Sequence, residues 1–130
     1  MRVDSWHHRT AITRGPHPAL HHASSEPRGV DEYTRRTVRL LRAGAEKIRG
    51  PGRHMAGNGT VSHVLDPSGS TVEYTTELEV LDEGTWHPHR RDSTRPEVSD
   101  QWGTADAMSE LVPATSSDDP DEGLFVAPPV

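Results

Sequence analysis

Residues 60–81, TVSHVLDPSGSTVEYTTELEVL, decide the fold. In their second half Val72, Tyr74, Thr76, Leu78 and Val80 fall on one side of an extended chain, and Glu73, Thr75, Glu77 and Glu79 on the other. A period of two marks a strand that buries one face and wets the other. Thr71 to Leu81 is therefore predicted as a strand with its carboxylates in water. Upstream, Thr60 to Leu65 reads as a second strand, and Asp66-Pro67-Ser68-Gly69 puts proline and glycine where a type I turn takes them. Downstream, Asp82-Glu83-Gly84 offers another turn, and Thr85 to Arg91 a short third strand whose Pro88 suits a sheet edge.

Ahead of these strands the period changes. Tyr33, Thr37, Leu40, Leu41, Gly44 and Ile48 recur at helical spacing, which predicts a helix from Asp31 to Arg49. Asp31 is its expected N-cap, Glu32 suits the positive end of the helix dipole, and Gly50-Pro51-Gly52 stops it. The fold class is thus α+β: one amphipathic helix packed on a three-stranded antiparallel β-meander. The expected core draws on Tyr33, Val38, Leu40, Leu41, Ile48, Val61, Val64, Leu65, Val72, Tyr74, Leu78, Val80, Leu81 and Trp86. Residues 1–29 read as a disordered tail, 30–92 as the core, and 93–130 as a mostly disordered acidic tail with a short helix at 104–112.

The composition agrees with a small core. Of 130 residues 31% are hydrophobic, one is Phe and two are Tyr, while Gly and Pro take 11 positions each. So little apolar surface repays the entropy of ordering poorly, which predicts a protein partner or homodimer that covers the sheet. Residues 1–54 carry eleven Lys/Arg against five Asp/Glu, and residues 55–130 three against fifteen, so the halves can attract each other without nucleic acid. The absence of cysteine excludes disulfides, thiolate zinc sites and cysteine nucleophiles. No apolar run approaches the roughly 20 residues of a membrane span and the start has no signal-peptide pattern, which points to the cytoplasm and to no membrane partner.

Histidines number nine, five of them (His7, His8, His17, His21 and His22) within a stretch read as tail, where adventitious metal binding is the expectation. His87 and His89, two apart on the third strand, share a face, and with Asp92 they are the candidates for a metal or acid–base site. Beside that stands the reading of a polar edge strand next to Arg90 and Arg91, under which no metal or cofactor is assigned. Arg35, Arg39, Arg42 and Arg49 line one helix face and could contact phosphates, but a solvated face, or one docking against the acidic second half, is the favoured reading. Asn58-Gly59-Thr60 matches a glycosylation sequon but reads as a turn. No nucleophile elbow, phosphate-cradling glycine loop or zinc-protease helix occurs, so no catalytic residue is assigned and an enzyme is not supported.

The strand Val72 to Val80, the Asp82-Glu83-Gly84 turn, Trp86, and Arg90 with Asp92 together carry a resemblance. The chain resembles small prokaryotic α+β domains and, more distantly, the TumE-like components of toxin–antitoxin pairs. The resemblance implies a small interaction or regulatory module whose partner completes the fold. A nucleic-acid-associated protein using the Arg stripe is the alternative. A product with no selected activity is a further one, which an Arg-, Pro- and Gly-rich composition from a GC-rich frame would also yield.

Overall fold

The computed structural model describes residues 1–13, 19–92 and 94–105. Four strands form one mixed sheet in the order β1-β4-β3-β2. The elements run β1 (Ala23–Ser25), α1 (Gly29–Arg42), β2 (Lys47–Arg53), β3 (Thr60–Leu65), β4 (Thr71–Thr76) and α2 (Pro96–Ser99). β1 pairs parallel with β4, whereas β2–β3 and β3–β4 are antiparallel. The class is α+β as the sequence predicts, but the sheet has four strands and is mixed, not a three-stranded meander.

β3 and the start of β4 fall where the alternation puts them. The link between them is tied by Asp66, whose carboxylate accepts from Ser68 N at 2.8 Å and Ser70 N at 2.9 Å. β4 stops at Thr76 rather than Leu81, because Glu77 turns to φ +60. Val80 instead bridges to Trp6, and the expected third strand over 85–91 does not form. Trp86 leaves the sheet and meets the His7 ring edge-on, with Arg2 over its face.

The helix starts earlier and ends about two turns sooner than the spacing suggests. Glu32 reaches back to accept from Arg28 N at 2.7 Å, satisfying an amide that the first turn leaves free. Gly44 is not a weak helix interior position: at φ +89 it takes the left-handed conformation that ends helices. Its release lets Lys47–Arg53 pair with β3, with irregular register at Arg49 and Gly52. The Gly50-Pro51-Gly52 expected to stop the helix therefore lies inside an edge strand. A Cβ on Gly50 would stand 2.6 Å from Val61 O, so that crossing of β2 over β3 needs glycine.

α1 packs on one face of the sheet, where the Tyr33 hydroxyl hydrogen-bonds Ser62 Oγ in the interior. Among the described residues, Tyr33, Ile48, Val61, Val64 and Leu81 are the buried apolar ones. Of the other expected core members, Val38 and Leu41 are each 39% exposed and Val80 is 59% exposed. Tyr33→Phe is expected to cost about 1 kcal/mol in urea unfolding, since it strands the Ser62 hydroxyl in the core. An unchanged midpoint would mean that Ser62 finds another partner.

Both segments read as tails carry structure. β1 lies in the first, and the second is strapped to β2 through Asp100, whose carboxylate accepts from Arg53 N at 2.9 Å and Ala105 N at 2.7 Å. Thr104 and Ala105 are not helical, and the rest of the helix expected at 104–112 lies outside the described residues. Among the described residues no helix is long and apolar enough to cross a membrane.

Candidate metal centre

Side chains alternate across a sheet, so with Ser62 turned to the helix, His63 projects to the opposite face. Register then builds a row of polar side chains on that face. Arg49 of β2 stands opposite His63 of β3, His63 opposite Glu73 of β4, and Glu73 opposite Ser24 of β1. His22, two residues ahead of Ser24, joins the same row. His63 and Arg49 are each 1% exposed, and Glu73 is 7% exposed.

Glu73 is the hub of this row. Its Oε2 lies 3.0 Å from His63 Nε2 and 3.8 Å from His22 Nε2, and its Oε1 accepts from Ser24 Oγ at 2.7 Å. Burial opposes its charge. The hydrogen bond and field of His63, the field of His22 and the Ser24 hydroxyl more than offset that, and hold its pKa down at about 2. The carboxylate is thus ionised throughout the physiological range. Burial lowers the pKa of His22, which keeps its imidazole neutral with a free lone pair.

The donor set suits a divalent cation. One ligand atom each from His22, His63 and Glu73 lies within 4.8 Å of the others, and among the described residues this is the one such group. Two imidazoles and a carboxylate are the donors that non-haem iron and related divalent ions take. His63 meets Glu73 through Nε2, while its Nδ1 is buried and without a hydrogen-bond partner. Two further imidazoles border the group. His54, just past β2, is pushed down to about 4 by burial, with Glu73, Arg49, His63 and His22 in its field. His8 is also lowered, chiefly by burial, and senses Glu73 as well.

The candidates drawn from sequence lie elsewhere. His87 and His89 are exposed in an irregular segment, and Asp92 accepts from Thr94 N at 3.0 Å rather than pairing with Arg90. The structure does not bring the three together as a ligand group. Of the arginine stripe, Arg35, Arg39 and Arg42 share the outer side of α1 around a shallow hollow of about 350 Å³, with Arg35 paired to Asp31 at 2.8 Å. Arg49 leaves the stripe: it is buried in β2 and donates to Ser99 O at 3.3 Å.

Sequence reading missed His63 and Glu73 and took His22 only as an adventitious ligand in a tail, although one signal was available. Pairing Leu65 with Thr71 across the Asp66–Ser70 turn sets His63 directly opposite Glu73.

Comparison with known proteins bears on the fold. No protein-family model matches the chain. Over 97 residues, 75% of the chain, it is 30% identical to metapyrocatechase 2 of Cupriavidus necator. A Mn(II)-bound glyoxalase from Novosphingobium aromaticivorans matches 95% of the chain with TM-score 0.77 and 37% identity. Homoprotocatechuate 2,3-dioxygenase from Arthrobacter globiformis matches 72% with TM-score 0.63 and 24% identity, a likeness of fold. The chain spans 30% of the length of the curated relative, and 39% and 30% of the two solved chains. These likenesses point to the glyoxalase/extradiol dioxygenase fold, also called vicinal oxygen chelate, and overturn the resemblance to TumE-like toxin–antitoxin components. They equally displace the interaction or regulatory module of the toxin–antitoxin kind. That resemblance rested on the strand Val72 to Val80, the Asp82-Glu83-Gly84 turn, Trp86, and Arg90 with Asp92, all within residues 72–92 and without a specific motif.

Proposed function

We propose that the chain forms the metal-binding part of an enzyme of the glyoxalase/extradiol dioxygenase type, with a divalent cation held by His22, His63 and Glu73. The observation that carries this reading is the buried group of two imidazoles and one ionised carboxylate on the face of the sheet away from α1. When bound, the cation supplies Lewis acidity to a substrate that offers two adjacent oxygens. Glu73 supplies the compensating negative charge, and Ser24 fixes its orientation through Oε1. His54, neutral at physiological pH because it is buried, has a lone pair ready for the proton that a substrate hydroxyl releases. A protein partner or second copy belongs to the same proposal, consistent with a chain that spans about a third of its relatives.

Titration of the metal-free protein with MnCl₂ tests the site. One ion per chain is expected, with affinity lowered at least tenfold in His63→Ala. Absence of binding, or identical affinity in that variant, would remove His63 from the site. Oxygen consumption on adding catechol to the Fe(II)-loaded protein tests the ring-cleaving branch, and His54→Gln should slow it with little change in metal affinity.

A further inference from the structure

His22 reaches the metal group through one nitrogen only. Its Nε2 faces Glu73, while its Nδ1 lies 2.7 Å from Nδ1 of the neighbouring His21. The two rings meet edge to face, with centroids 4.9 Å apart. Both are partly buried where the chain enters β1, and His21 sits outside the ligand group itself.

A neutral imidazole carries its single proton on one nitrogen and a lone pair on the other. For His22 to offer Nε2 to a cation, its proton must sit on Nδ1, and a buried N–H needs an acceptor. Metal-bound histidines ordinarily give that proton to a carboxylate, a backbone carbonyl or water. Here the group in reach of His22 Nδ1 is the imidazole of His21.

We propose that His21 is a positioning residue: its Nδ1 accepts the Nδ1–H of His22, which fixes the His22 tautomer and turns a bare Nε2 towards Glu73. The inference deepens the metal-site reading and rests on it for its function, though the tautomer itself does not require metal. His21 then carries its own proton on Nε2. The arrangement links two adjacent residues of the lead-in to β1, so the ligand is aimed before the strand begins. Ser24, two residues further along, performs the matching task for Glu73.

Two variants separate orientation from packing. His21→Phe keeps a ring against His22 but removes the acceptor, whereas His21→Asn places a side-chain oxygen within reach of His22 Nδ1. In the full-length metal-free chain, ¹⁵N-edited NMR of the imidazoles should show His22 as the Nδ1–H tautomer in the wild type and in His21→Asn. In His21→Phe a substantial Nε2–H population should appear. Calorimetric titration with MnCl₂ should then give an affinity 10- to 100-fold lower for His21→Phe, largely restored in His21→Asn, with equal thermal midpoints. A His22 tautomer unchanged in His21→Phe would overturn the proposal, and so would equal weakening of Mn(II) binding by both variants. If the wild type takes up no Mn(II), the metal reading fails, while the tautomer result alone decides whether His21 orients His22.

Discussion

Glu73→Ala is expected to lower Mn(II) affinity by at least a hundredfold and to destabilise the metal-free protein by about 2 kcal/mol. The first effect follows because Glu73 is the anionic member of the group formed with His22 and His63. A divalent ion leaving water for a site that is 7% exposed at its carboxylate needs that charge to offset its own desolvation. The second effect follows from the two partners left behind. His63 Nε2 and Ser24 Oγ both lose their acceptor, and His63, 1% exposed, has no water to replace it. Glu73→Gln retains the shape and one acceptor oxygen, so it should recover most of the stability and little of the metal binding. Calorimetry and urea unfolding on the same preparations separate the two losses. Equal metal binding in both variants and the wild type would place the cation elsewhere.

The second large effect is a fall in stability as pH drops from about 6.5 to about 4, centred on His54. Its folded-state pKa is about 4, against 6.5 for an unburied histidine. Below 6.5 the unfolded chain takes up the proton and the folded chain does not, so stability falls with pH until the folded state also protonates near 4. The full difference is about 3 kcal/mol, present above 6.5 and gone below 4. Unfolding of wild type and His54→Gln at pH 7 and pH 4 isolates it, because the gap between the two proteins should move by that amount. A pH-independent gap would mean that His54 is hydrated in solution. Glu73 acts in a separate and lower window: its pKa is depressed to about 2, so its contribution is intact above about 4.5 and disappears only as pH falls towards 2.

The local chemistry of the hairpin was legible because it is written in adjacent residues. Alternation set β3 and the start of β4, and Asp66 with Gly69 set the turn between them. What alternation could not say was that the polar side of β4 is covered as well. Alternating carboxylates read as a face in water, yet Ser24 of β1 and His22 ahead of it reach the Glu73 carboxylate, which is left 7% exposed. β1 itself has three exposed residues and no apolar signal; its existence depends on Ser24 and Glu73 meeting from 49 positions apart. The same applies to β2. Lys47–Arg53 holds a proline and two glycines, and only its pairing with β3 makes it a strand.

The site was hidden for a related reason. His22 sits among several histidines in a stretch without periodicity, His63 looks like a polar interruption of an apolar run, and Glu73 like a surface residue. Each is unremarkable until strand register aligns them. His87 and His89 had the opposite character: close spacing made them conspicuous, but no strand forms there to hold them on one face.

Crystals of the protein grown with MnCl₂, with diffraction recorded at the manganese absorption edge, test the central claim most directly. The account predicts one anomalous peak per chain at bonding distance from His22 Nε2, His63 Nε2 and a Glu73 carboxylate oxygen. A peak at any other group, or His63 still hydrogen-bonded to Glu73 with no ion between them at saturating manganese, would contradict it.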